Sequence, residues 1–184
     1  MSLKVEEVRQ IAANADCLFT RDQVEAALDR MAAAVTRDLQ DRDPLVLCVM
    51  LGGLLPAAKL IERLQFPFQY DYLHATRYRG GTRGGDLYWI TRPSMAVRDR
   101  CILVVDDILD EGLTLRAIVD YLRQEGAAEV RSAALVMKMH DRRPADSTVD
   151  YAGLEVPDRY VFGYGMDYKG YLRSAAGIYA LRES

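Results

Sequence analysis

Residues 101–114 read CILVVDDILDEGLT. Asp106, Asp107, Asp110 and Glu111 put four carboxylates into six residues, directly after an apolar run, and Gly112 and Thr114 follow. Paired acids accept hydrogen bonds from vicinal hydroxyls and hold the water shell of Mg²⁺. The helix start that follows offers the opposite chemistry. Its unpaired N–H groups and partial positive charge suit an anion. Gly112 lets the backbone turn tightly and approach a ligand closely, and Thr114 adds a hydroxyl donor. Acids alone would repel phosphate. The combination fits a ligand that carries both a phosphate and a polyhydroxylated, metal-bound portion.

The flanking pattern indicates how these residues are positioned. CILVV (101–105) reads as a buried strand, 106–113 as a loop and Thr114 onward as a helix. Leu115, Ile118, Val119 and Leu122 share one face of that helix, and Gly126 ends it. Upstream, residues 4–14 predict a short helix. Thr20 and Gln23 form the pattern of a capping box, and Val24, Leu28, Met31, Val35 and Leu39 then mark the apolar stripe of a long amphipathic helix. LVLCVM (45–50) is a central strand, LGGLL (51–55) a turn, and Pro56 suits the first turn of a helix to about Leu64. Further strands are expected at 68–78, 87–91, 130–138, 151–156 and 160–165. RGGTRGGD (79–86), with four glycines and two arginines, is expected to be a mobile loop. Strands alternating with helices predict an α/β fold, a mainly parallel twisted sheet flanked by helices. Ligands of such sheets bind beyond the carboxyl ends of the strands, where the acids lie.

Bulk properties narrow the function. The 184 residues suit one domain spanning 1–184, half hydrophobic, with a net charge of −3. Nothing in that balance favours nucleic acid or an anionic membrane as a partner. The N-terminus lacks a charged-then-apolar signal, and no apolar run approaches the roughly 18 residues of a spanning helix. A soluble, cytoplasmic protein is expected. Cys17, Cys48 and Cys101 lack metal-site spacing, and the last two read as buried thiols. His74 and His140 are isolated in sequence and are expected to be structural or exposed rather than metal ligands.

Phosphoribosyl diphosphate has the phosphate, the hydroxyls and the metal that the acidic loop calls for. ILVVDDILDEGLT in fact resembles the phosphoribosyl-diphosphate signature of the type I phosphoribosyltransferases. MLGGLLPAAKL (50–60), DYLHATRY (71–78), LVMK (135–138) and VPDRYVFGYGMDYKGYLR (156–173) resemble the hypoxanthine–guanine branch, in the same order along the chain. The resemblance implies that branch's fold, with a small hood subdomain. It also implies transfer of a phosphoribosyl group to a purine base with Mg²⁺, in a homodimer or homotetramer. A non-catalytic sensor of purine or phosphoribosyl diphosphate on the same fold is the alternative class.

The resemblance further implies roles for individual residues. Asp106 and Asp107 would face the ribose hydroxyls and the metal. Asp110 would be the general base. Asp110, Glu111, Gly112, Leu113 and Thr114 would cradle the 5′-phosphate. Leu51 and Gly52 would form the diphosphate turn, which in the family holds a cis peptide, and Arg173 would contact the leaving diphosphate. Lys138 would donate to the purine 6-oxygen, Tyr160 would stack on the base, and the Val161 backbone would read its edge. Asp167 would border the purine and help bind metal. Arg77 and Tyr78 would open the loop that covers the site. The chain departs from the family in two places. Glu111 stands where Thr or Ser is common, and Leu51 where a basic residue is common.

Overall fold

The strand that carries the acids lies inside a six-stranded sheet covered on both faces. The computed structural model describes residues 3–77, 87–144 and 147–182. Along the chain the elements are α1 (Val5–Asn14), β1 (Asp16–Thr20), α2 (Arg21–Leu39), β2 (Leu45–Val49), α3 (Leu54–Ile61), β3 (Gln69–Arg77), β4 (Leu87–Thr91), β5 (Cys101–Leu109), α4 (Leu113–Gln124), β6 (Glu129–Met139), β7 (Tyr151–Pro157), β8 (Val161–Phe162) and β9 (Gly177–Ala180). The large sheet has the order β4-β3-β2-β5-β6-β7. It is parallel from β3 to β7, with β4 antiparallel at the edge.

Alternation along β5 separates two apolar layers. Leu103 and Val105 pack with α2 and α3 residues such as Leu28, Val35 and Leu60. Ile102 and Val104 pack with Leu115, Ile118 and Leu122 of α4. Burying both faces explains the uninterrupted apolar runs in the central strands. At the start of α2, Thr20 Oγ1 accepts from the Gln23 N–H while Gln23 Oε1 accepts from the Thr20 N–H at 2.9 Å, the capping box expected from the sequence. Gly126 closes α4 in the left-handed conformation, φ 90°. Cys101 is buried, whereas Cys48 is only partly so; burial nevertheless pushes the Cys48 thiol up to about 12.

Three features differ from the sequence expectation. First, β1 and β9 are strands: with β8 they form a separate antiparallel sheet, order β1-β9-β8, which is the small hood. Second, the strand expected over 160–165 is regular only at Val161–Phe162, because positive φ at Gly163, Tyr164 and Gly165 turns the chain immediately afterwards. Third, β5 continues to Leu109, so Asp106 and Asp107 sit on the strand and not in a loop. The reason lies in its neighbours. Pairing with β2 stops at Cys48–Val105, while pairing with β6 runs on to Leu109–Met137. Residues 106–109 therefore have a partner strand on one side and an open crevice on the other.

Tyr78 and the expected mobile loop 79–86 lie outside the described residues; Arg77 ends β3, opposite Leu87. Among the described residues, no helix is long and apolar enough to cross a membrane.

Candidate active site

The crevice beside the end of β5 is a cavity of about 890 Å³. Asp106, Asp107, Asp110 to Thr114, Gly52, Asp167 and Arg173 are among its lining residues. It therefore gathers the acids, the anion loop and the candidate diphosphate contacts, which lie far apart in sequence.

Asp106 and Asp107 are held in place by local backbone donors. Asp106 Oδ1 accepts from the Asp107 N–H at 2.9 Å, and Asp107 Oδ1 accepts from the Ile108 N–H at 2.8 Å. Burial pushes the Asp106 carboxyl well above its ordinary range, and the neighbouring Asp107 charge adds to the shift. Burial also raises Asp107, against the hydrogen bonds from Asp106 and Ile108 and the charge of Arg173. Two partly buried acids side by side are costly without a cation or hydroxyl donors. Their chemistry therefore fits a divalent cation bound together with a polyol.

The third acid expected at the metal is engaged elsewhere. Asp167 Oδ1 pairs with Arg173 Nη2 at 2.6 Å, and Asp167 Oδ2 accepts from the Gly170 N–H at 2.6 Å. Arg173 Nη1 also donates to the Gly165 carbonyl at 2.6 Å. Among the described residues, the group of three donors brought within 4.8 Å of one another is instead Asp110, His140 and Asp158. Protein partners already account for that group, since the Arg142 guanidinium takes both Asp158 oxygens, at 2.5 and 2.8 Å.

At the start of α4, Gly112 is the N-cap, with φ 77° and ψ 0°, a conformation that favours glycine. The space is restricted too: a Cβ there would lie 2.9 Å from Ser147 Cβ. Leu113 is already helical, one residue earlier than expected. The first-turn N–H groups, which have no intrahelical acceptor, belong to residues that line the cavity, Leu113 and Thr114 among them. Glu111 is exposed beside them. Across the cavity, the turn after β2 holds a cis peptide between Met50 and Leu51. Gly52 lines the cavity, and Leu51 is half exposed outside it.

Asp110 has both oxygens occupied. Oδ2 accepts from Lys138 Nζ at 2.9 Å and Oδ1 contacts His140 Nε2 at 2.7 Å. Burial acts to raise this carboxyl, but the hydrogen bonds from Lys138 and His140 and the charge of Lys138 outweigh it and hold Asp110 below its ordinary range. The structure thus joins Lys138 to the site through Asp110. Tyr160 is half exposed just before β8, edge-on to Tyr168 with ring centroids 5.4 Å apart. Val161 is buried and pairs with Ala180. Tyr160 and Val161 are not among the lining residues of this cavity, so the structure does not join the expected base contacts to it.

The sequence reading missed His140. Its side chain is only 3% exposed and touches the candidate base. Its distance in sequence from Asp110 hid the contact, which exists because β5 and β6 are adjacent parallel strands.

The chain and its fold resemble known proteins. A family model described as "Phosphoribosyl transferase domain" matches residues 15–169. A hypoxanthine-guanine phosphoribosyltransferase of Bacillus subtilis is 31% identical over 90% of this chain and 92% of its own length. A hypoxanthine-guanine-xanthine phosphoribosyltransferase of Tritrichomonas foetus is 29% identical over 91% of each chain. Among solved structures, a hypoxanthine phosphoribosyltransferase from Staphylococcus aureus superposes with a TM-score of 0.87 at 25% identity, covering 97% of each chain.

Proposed function

The chain belongs to the phosphoribosyl transferase domain family, and from that premise we propose that it is a purine-salvage enzyme. It transfers the phosphoribosyl group of 5-phosphoribosyl 1-diphosphate to hypoxanthine or guanine, giving IMP or GMP and diphosphate. The observation that carries this reading is the junction at Asp110. A carboxylate bonded to a lysine stands in a cavity lined also by the partly buried pair Asp106 and Asp107 and by the first residues of α4.

In this mechanism the 5′-phosphate rests on the N–H groups at the start of α4, with Thr114 adding a hydroxyl. Asp106 and Asp107 accept hydrogen bonds from the ribose hydroxyls. They would also hold Mg²⁺ bound with the donor. The metal would offset charge on the departing diphosphate. Arg173 supports that neutralisation from the protein side, reaching the diphosphate beside the Gly52 turn. Tyr160 covers one face of the purine.

Lys138 exchanges its bond to Asp110 for one to the purine 6-oxygen. Losing that donor makes Asp110 more basic as the substrate arrives. A ring nitrogen then bonds to C1 of the ribose as the C1–O bond to diphosphate breaks. The proton on the base passes to Asp110.

The test is nucleotide formation from phosphoribosyl diphosphate and Mg²⁺ with each purine in turn. IMP or GMP with release of diphosphate is the expected product. Tight binding of both ligands without turnover would overturn the enzyme reading in favour of a sensor.

A further inference from the structure

Asp110 must present one particular oxygen to the purine N–H, and the interactions around it show what could fix that orientation. Lys138 cannot, because in the proposed reaction it leaves Asp110 for the substrate. The other contact, His140 Nε2 to Asp110 Oδ1 at 2.7 Å, is partly buried, with the imidazole shielded and Asp110 open on its other side, and comes from the segment just after β6.

The state of the imidazole follows from its second nitrogen. The Arg142 backbone N–H donates to His140 Nδ1 at 3.1 Å. A nitrogen that accepts a hydrogen bond carries no proton, so a neutral ring has its proton on Nε2, pointing at Asp110. A doubly protonated ring would set Nδ1–H against the Arg142 N–H. The segment that holds the ring is itself anchored. Arg142 grips Asp158 with both guanidinium arms, and Arg143 Nη1 donates to the Lys138 carbonyl at 3.2 Å.

We infer that His140 is a positioning residue for Asp110, holding Oδ1 through a fixed Nε2–H so that Oδ2, released by Lys138, is the oxygen that receives the purine proton. This rests on the general-base reading of Asp110 given above. His140 is not a proton relay, since taking up a second proton would break its bond to the Arg142 N–H. Among the described residues, the charged groups near the ring include Asp110, Lys138, Asp158 and Arg142, and each of the last three has a partner of its own.

The test compares His140→Leu, His140→Gln and His140→Asn in the full chain, measuring kcat and both KM values with hypoxanthine, phosphoribosyl diphosphate and Mg²⁺. Misplacing a reacting group costs up to about 10²-fold in rate, so His140→Leu should lower kcat by roughly that factor while the donor KM stays near wild type. Gln places an amide N–H about where Nε2 lies and should restore most of the rate. Asn carries the same amide one methylene shorter and should not. If His140→Leu is too unstable to assay, the Gln–Asn contrast decides.

Unchanged kcat in the Leu or Asn variant overturns the inference. So does an equal loss in Gln and Asn, which would point to ring packing. Asp110→Asn separates this failure from failure of the general-base reading. If Asp110→Asn turns over normally, the base assignment falls. If it is inactive while the His140 variants turn over normally, the positioning role alone falls. In the Asp110→Asn background, adding His140→Leu should cost little more, because both act through one carboxylate.

Discussion

Gly52 lies directly against the Asp107 carboxylate: a Cβ at position 52 would fall 1.9 Å from Asp107 Oδ2 and 2.9 Å from Oδ1. The next residue is equally crowded, but by backbone. A Cβ at Gly53 would lie 2.5 Å from the Val49 carbonyl and 2.7 Å from that of Val105. The two positions should therefore fail differently. Gly52→Ala can be accommodated if Asp107 rotates, which displaces a group expected to hold the ribose and metal. Turnover should fall by about 10²-fold while the thermal midpoint barely moves. Gly53→Ala has no side chain to push aside and should cost about 1–3 kcal/mol of stability, as overpacking does. Activity assays and thermal melts on both variants check this. Full activity in Gly52→Ala would remove Asp107 from the site.

Asp71 secures the segment after β4. Its Oδ2 accepts from the Ser94 N–H at 2.6 Å, Ser94 Oγ at 2.9 Å and the Met95 N–H at 2.9 Å, and Oδ1 accepts from the Tyr72 N–H. Burial opposes ionisation here, but the donors of Met95, Tyr72 and Ser94 outweigh it and hold the carboxyl below its ordinary range. An acid whose pKa is lower folded than unfolded stabilises the fold above the unfolded value, near pH 4. That contribution is lost as pH falls through the folded value. Hydrogen bonds to a charged group contribute about 1.5–3 kcal/mol, and partial exposure favours the lower end for Asp71→Ala at pH 7. Urea titrations should show the gap between wild type and variant closing only below about pH 4. A gap that is the same at pH 3 and pH 7 would mean that charge plays no part.

The parts legible in the sequence were those with local causes. The Thr20–Gln23 cap, the α2 stripe and the apolar runs of the central strands depend on neighbouring residues alone. The hood strands β1 and β9 do not. DCLFT and GIYA are short, lack a turn between them, and become strands only by pairing across nearly the whole chain, Asp16 with Ala180. The extension of β5 through Asp107 was hidden for a related reason. Acids read as loop residues, yet one-sided pairing to β6 keeps them in strand. The candidate site followed the same division. The acids and the anion loop were legible as one motif, while His140 was visible only once β5 and β6 were adjacent.

Asp110→Asn keeps the shape of the side chain but removes the carboxylate that would take the purine proton, and its single amide oxygen can accept from only one of Lys138 and His140. Loss of a general base costs about 10²–10⁴-fold in rate. The expected result is a sharp fall in kcat at saturating substrates with the affinity for phosphoribosyl diphosphate nearly unchanged, read by steady-state kinetics and by calorimetry. Near-normal kcat would rule out the role.

Lys138 should set the preference for 6-oxopurines over adenine. Its ammonium is 2.9 Å from Asp110 Oδ2, and the side chain is only 14% exposed, so it is short of water with which to share its protons. An ammonium has three donors and no acceptor. Hypoxanthine and guanine present an oxygen at position 6 and satisfy it. Adenine presents an amino group, a second donor, and leaves a desolvated N–H unpaired, a mismatch worth several kcal/mol. Stacking on Tyr160 cannot make this distinction, because every purine has the same kind of face. Wild type should therefore favour hypoxanthine or guanine by about 10²-fold or more in kcat/KM, as expected of a site built around a buried donor. Lys138→Ala should lose most of that bias through poorer use of the 6-oxopurines. Two results would contradict the assignment: wild type using adenine as efficiently as hypoxanthine, or Lys138→Ala keeping the full preference.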